Sequence, residues 1–141
     1  MNPNKIIVHC SASDNHRYDF RLICKDHIRR GFTDIGYHFG IEPDGRIQIL
    51  REIDRPGAHT KGYNSESIGI CLMGLESFSV DQLKSLADVV AMLMAIYKIR
   101  PDDIYPHNEF NKDKTCPNFD LEEWKILFLE KRLVARTYCD R

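Results

Sequence analysis

Apolar and polar positions change period several times along this chain, and each change marks an element. Residues 6–9, Ile-Ile-Val-His, are a short apolar run that predicts a buried strand ending at His9. Phe20, Ile23, Cys24 and Ile28 recur at helical spacing and predict a helix over 19–30. Arg29 and Arg30 suit its C-terminal dipole, and Gly31 can cap it. Two β-prone runs, 37–42 and 46–50, flank Pro43-Asp44-Gly45 and predict a hairpin: proline presets φ and glycine accepts φ > 0. A polar, glycine-containing loop over 55–66 leads to an apolar strand over 67–73, closed by Gly74. Ser79 and Gln82 have capping-box spacing ahead of Leu83, Leu86, Val90, Leu93 and Tyr97, one apolar stripe at steps of three and four. Arg100-Pro101 ends that helix, and 104–106 reads as a short strand. Asp120 and Glu123 repeat the capping pattern before a helix to about Arg136 bearing Leu121, Trp124, Leu127 and Phe128.

The order is β-α-β-β-β-α-β-α, with no internal repeat, linker or low-complexity segment. It predicts an α/β domain of mixed (α+β) type, one mixed central sheet flanked by about three helices. A chain of 141 residues fits one domain over 1–141 and can bury roughly 70% of its unfolded surface. Lys+Arg 20 against Asp+Glu 21 gives no sign of a nucleic-acid or anionic-membrane surface. The apolar run near the N-terminus is too short for a secretory signal, and the longest apolar stretch, around 89–97, is too short to span a bilayer. Five cysteines, Cys10, Cys24, Cys71, Cys116 and Cys139, are odd in number and irregularly spaced. They argue against a disulfide framework and for synthesis in a reducing cytoplasm. A monomer is expected.

The candidate chemistry sits in two places. His9 closes the first strand, where a ring nitrogen can point rigidly into a cleft. His107 and Cys116 share a polar loop in which a cysteine has no packing role, and Pro117 stiffens the chain beside it. Two imidazoles and a thiolate can hold zinc with a fourth position open, which separates a catalytic site from a structural one. Cys10 follows His9 directly, so alternation along the strand turns it to the other face, as a buried apolar cysteine. The same residues also fit a thiol nucleophile, Cys116, with His107 or His9 as its base. Tyr37, Lys114 and His59 are candidate polar partners. His38 is expected to face away from Tyr37, and His16 and His27 to be surface or helix-packing residues.

Read in order, these residues resemble the zinc-dependent N-acetylmuramoyl-L-alanine amidases of the phage-lysozyme and peptidoglycan-recognition-protein type. The matching segments are Ile7-Val8-His9-Cys10-Ser11-Ala12-Ser13, Ile35-Gly36-Tyr37-His38-Phe39, Asp44-Gly45-Arg46, Gly57-Ala58-His59, Gly62-Tyr63-Asn64, Ser67-Ile68-Gly69-Ile70-Cys71-Leu72, and His107 through Lys114-Thr115-Cys116-Pro117-Asn118-Phe119-Asp120. They cover about residues 5–120. The resemblance implies that His9, His107 and Cys116 bind Zn²⁺ and that Tyr37 and Lys114 are catalytic. It places His59 beside the site. It implies a peptidoglycan hydrolase that cuts between N-acetylmuramic acid and L-alanine, acting on the bacterial wall after release or lysis. Lys61, Tyr63 and Asn64, with His59, are candidate contacts to the muramyl peptide. Binding-only members of this type typically lack the cysteine, so Cys116 points to an enzyme. A non-catalytic peptidoglycan binder, or a protein regulating a partner, is the alternative of the same fold.

Overall fold

A computed structural model describes residues 1–139, with side chains through residue 134. Its strands are β1 (Lys5–Cys10), β2 (Phe39–Ile41), β3 (Ile47–Ile49), β4 (Ser67–Leu72) and β5 (Ile104–Pro106). They form one mixed sheet in the order β3-β2-β4-β1-β5, in which only the β2–β3 hairpin is antiparallel. Helix α1 (Phe20–Arg29) covers one face. Helix α2 (Val80–Tyr97) covers the other with a terminal helix made of α3 (Leu121–Trp124), a π-helical turn (Lys125–Leu129) and α4 (Glu130–Cys139).

Alternation along the strands divides the core. Ile6 and Val8 of β1 join Ile68, Ile70 and Leu72 of β4 under Leu86, Val90, Leu93, Trp124 and Leu129. Cys71 faces the other way, into a smaller cluster with Phe20 and Ile23 of α1 and with Ile35 and Met73. His9 pairs with Cys71 across β1 and β4, which places it on this second, less covered face. Helix α1 lies close to the sheet because residue 40 is glycine; a Cβ there would stand 2.5 Å from Phe20 Cζ.

Of the two predicted capping boxes, Ser79–Gln82 forms in full and Asp120–Glu123 shows its N-cap half, and Asp19 caps α1 in addition. Asp19 accepts from Leu22 N at 3.0 Å, Asp120 accepts from Glu123 N at 3.1 Å, and the Ser79–Gln82 box closes in both directions. Gln82 is buried and also donates to Met73 O at 2.8 Å, so the cap ties α2 to the end of β4. Trp124 donates to Leu83 O at 3.0 Å and joins the terminal helix to α2. The hairpin turns at Gly45, with φ +89.

The structure differs from the sequence reading in detail. β2 begins at Phe39, so Tyr37 and His38 precede it, although the ladder continues through His38 N to Gly69 O and Arg51 N to Tyr37 O. The π-helical turn has no signature in the apolar pattern. Cys10, Cys24, Cys71 and Cys116 are free thiols, and the Cys139 side chain lies outside the described residues.

Candidate active site

Parallel pairing builds the centre of the site. Val8 and Pro106 are register partners in β1 and β5, so the residues that follow them, His9 and His107, emerge side by side at the carboxyl ends of adjacent strands. Their ring centroids are 4.2 Å apart. Cys116 returns to the same point through a loop tied by Asn108 N to Cys116 O at 3.1 Å and by Asn118 Nδ2 to Leu75 O at 2.7 Å. Tyr37 arrives from the segment before β2, its ring 5.1 Å from that of His9. Lys114 lies on the Cys116 loop, its amide bonded to Asn111 O at 3.1 Å and its side chain exposed.

These side chains line an open cavity of about 400 Å³. A second cavity of about 470 Å³ shares His27, Arg30, Tyr37, His107 and Lys114 with it, so the two make one continuous groove. Arg29, Arg30, Lys61 and Lys114 line it, and Asp26 is the carboxylate on its wall. Asp26 is occupied, accepting from Tyr18 at 2.7 Å and pairing with Arg29 at 3.2 Å. The groove is cationic.

Burial, then the neighbouring His59 and His107, hold His9 well below the usual histidine range, so it is neutral at pH 7. Cys10 and Cys116 stand with their sulfurs 3.4 Å apart and cannot both ionise readily. Cys116 takes the negative charge: the Cys10 hydrogen bond, then one from His107, hold its thiol well below the usual range against the opposing effect of burial. Burial, then the nearby cysteines, push the Tyr37 phenol well above its usual range, so it remains a hydrogen-bond donor at neutral pH.

The donor set fits zinc chemically: two buried imidazoles, one neutral by burial, and a cysteine biased toward thiolate. The three are neighbours rather than a finished cage. Among the described residues, no group of three His, Cys, Asp or Glu side chains already has metal-holding geometry.

Comparison with known proteins decides the family. The pattern of the family described as N-acetylmuramoyl-L-alanine amidase matches residues 1–119. The chain belongs to that family. It is 37% identical over 128 residues to an endolysin of Escherichia phage T7, covering 84% of this chain and 83% of that one. It is 35% identical over 130 residues to an endolysin of Enterobacteria phage K11, covering 86% and 84%. The solved N-acetylmuramoyl-L-alanine amidase LysC from Clostridium intestinale superposes with a TM-score of 0.81 at 34% identity, covering 89% of this chain and 85% of that one. Drosophila PGRP-LB superposes at 0.68 with 27% identity over 85% of each. The protein is an N-acetylmuramoyl-L-alanine amidase.

The amidase fold gathers His9, His107, Cys116, Tyr37 and Lys114 on one cavity and Lys61, His59 and Asn64 on the adjoining one. Tyr63 lines neither; its ring packs 4.2 Å from that of Phe110 and lies under Lys5 Nζ at 5.9 Å. Asn64 turns its Oδ1 inward to accept from His59 N at 2.9 Å and Thr60 N at 2.8 Å. Cys10 is buried as expected, and its register partner Leu72 lies on the face opposite Cys71, the partner of His9; the Cys116 loop folds over the end of β1, so Cys10 Sγ still stands 3.4 Å from Cys116 Sγ and lines the cavity. His38 does face away, bonded to Arg55 O at 2.8 Å, and His16 is exposed.

Two residues of the site carry no signal in the sequence. His27 was expected to be surface or helix packing. It accepts from Gly36 N at 2.9 Å, sets its ring 5.6 Å from that of Tyr37 at a tilt of 51°, and walls both cavities. Arg51 is buried and donates to Ile35 O at 2.9 Å, Pro56 O at 2.7 Å and Asp34 O at 3.2 Å. It ties the segment that carries Tyr37 to the loop that carries His59.

Proposed function

We propose that the groove hydrolyses the amide between the lactyl group of N-acetylmuramic acid and L-alanine in a zinc-dependent reaction, with His9, His107 and Cys116 as the ligands. The observation that carries this reading is the convergence of those three side chains with Tyr37 and Lys114 on one open cavity. A zinc ion held there lowers the pKa of water from 15.7 to about 7 and polarises a carbonyl.

The remaining chemistry belongs to this chain's own side chains. Addition of water to the lactyl carbonyl places negative charge on its oxygen. The ammonium of Lys114 is the cationic partner for that oxygen. The Tyr37 phenol, kept protonated by burial, donates to the oxyanion or orients the attacking water. The C–N bond then breaks as the nitrogen takes the proton that the added water gives up, leaving a lactyl carboxylate and the free amine of a stem peptide that begins at L-alanine. Among the described residues Asp26 is the carboxylate that lines the groove, and it is committed to Tyr18 and Arg29, so no carboxylate is assigned as base. The groove is open enough for a polymer, and its cationic lining suits the carboxylates of a stem peptide.

No described helix is long and apolar enough to cross a membrane. We place the reaction at the bacterial wall, after release of a monomeric enzyme from the cytoplasm. The test is zinc stoichiometry and turnover in wild type, Cys116→Ser and His107→Ala. One zinc per wild-type chain, lost with activity in both variants, supports the assignment. Full zinc occupancy in either variant removes that residue from the ligand set.

A further inference from the structure

We infer that His59 is a positioning residue for His9, the last link of a hydrogen-bond relay that leaves His9 Nδ1 as its one metal-binding atom. This rests on the zinc reading above and extends it beyond the ligands.

The relay starts at Ser67. Its hydroxyl donates to Tyr63 O at 2.7 Å, so toward His59 Nε2, 3.4 Å away, the serine oxygen can only accept. The proton of a neutral His59 therefore sits on Nε2, and Nδ1 is bare. His9 Nε2 stands 2.9 Å from that Nδ1. Two bare nitrogens at this distance repel, so His9 Nε2 carries the proton and donates it. A neutral His9 then has its lone pair on Nδ1. Thr60 Oγ1, 3.0 Å from His59 Nδ1 and 3.4 Å from His9 Nε2, is compatible with this arrangement, donating to the first and accepting from the second.

The surrounding chain holds the His59 ring in this orientation. A Cβ on Gly69 would come to 2.5 Å from His59 Cδ2, and one on Gly57 would collide with the same atom. Only hydrogen at both positions lets the ring lie against the two backbones. Asn64 Oδ1 fixes the loop by accepting from both His59 N and Thr60 N. A metal-binding histidine usually donates its other N–H to a carboxylate or carbonyl. Here the acceptor is a second imidazole.

The test has two arms. In uniformly ¹⁵N-labelled wild type, NMR should show His9 protonated on Nε2, with a scalar coupling to His59 Nδ1 across the hydrogen bond. Zinc affinity, by competition with a chromophoric chelator, should fall about 10- to 100-fold in His59→Phe, which keeps a ring but has no acceptor. His59→Asn, whose Oδ1 falls near the position of Nδ1, should recover most of that loss. His9 protonated on Nδ1, or a folded His59→Phe that binds zinc as tightly as wild type, overturns the inference. If His59→Phe does not fold, the coupling in wild type decides. Wild type that shows the coupling and binds no zinc overturns the metal assignment but not the wiring; zinc binding without the coupling overturns the wiring alone.

Discussion

Replacing Arg51 with methionine tests whether one buried side chain holds the segments that carry Tyr37 and His59 in place. Arg51 is 6% exposed, and all of its hydrogen bonds given above go to backbone carbonyls. Methionine fills similar volume and donates nothing. The contacts to Ile35 O at 2.9 Å and Pro56 O at 2.7 Å are charge-assisted and short; each is worth about 1.5–3 kcal/mol, and the longer one to Asp34 O less. Removing the guanidinium also relieves its own desolvation, which already lowers the Arg51 pKa. The net expectation is a loss of about 2–4 kcal/mol, a large share of the roughly 5–15 kcal/mol typical of a domain. Urea denaturation at pH 7 measures it. Because the freed carbonyls belong to the segments leading to Tyr37 and His59, turnover under native conditions should fall at least tenfold. Arg51→Lys, with one point donor for three acceptors, should fall between. A loss below about 0.5 kcal/mol in Arg51→Met, with normal turnover, would falsify the structural role given to this residue.

Tyr37→Phe and Lys114→Ala should fold and bind zinc yet lose about 10²–10³ in rate, the usual cost of one oxyanion partner; wild-type turnover in either removes its catalytic role. Gly69→Ala should displace the His59 ring, weaken zinc binding and cost about 1–3 kcal/mol by overpacking; unchanged zinc affinity contradicts the clamp. Acid should destabilise the chelated protein. Burial, then His38, hold His59 at about 3 against 6.5 unfolded, so the unfolded chain gains a proton first and stability falls as pH drops from 6.5 toward 3. At pH 5 His59 alone accounts for about 2 kcal/mol, from roughly 1.5 pH units at 1.36 kcal/mol each. The buried His9 acts in the same direction. Equal stability by urea titration at pH 7 and pH 5 contradicts this.

Much of the molecule was legible in its sequence because local chemistry agreed with the final packing. The Ser79–Gln82 box, the Asp120 cap and the Gly45 turn form where the residue types place them. His9, His107 and Cys116 were legible from residue type as a candidate set that fitted either a metal or a thiol nucleophile, and the order of the family's motifs favoured the metal; the approach of His9 to His107 depends on the parallel register that aligns Val8 with Pro106. His27 was hidden because a histidine on a helix face reads as packing, and only the sheet's position shows that its face walls the groove. Arg51 was hidden because its partners are backbone carbonyls, which carry no side-chain signature. The contact of Cys10 with Cys116 was hidden because its partner arrives from a loop distant in sequence. The π-helical turn at Lys125–Leu129 has no explanation in the residues around it.

The central claim is tested most directly by digesting purified peptidoglycan with the enzyme, with and without a chelator, and identifying the products by mass spectrometry. Free stem peptides beginning at L-alanine, lost on chelation and restored by zinc, are the predicted result. Cleavage that ignores the chelator and stops with a thiol-blocking reagent would contradict the account and make Cys116 a nucleophile. No cleavage by fully zinc-loaded protein would contradict it in the other direction and leave a peptidoglycan-binding groove.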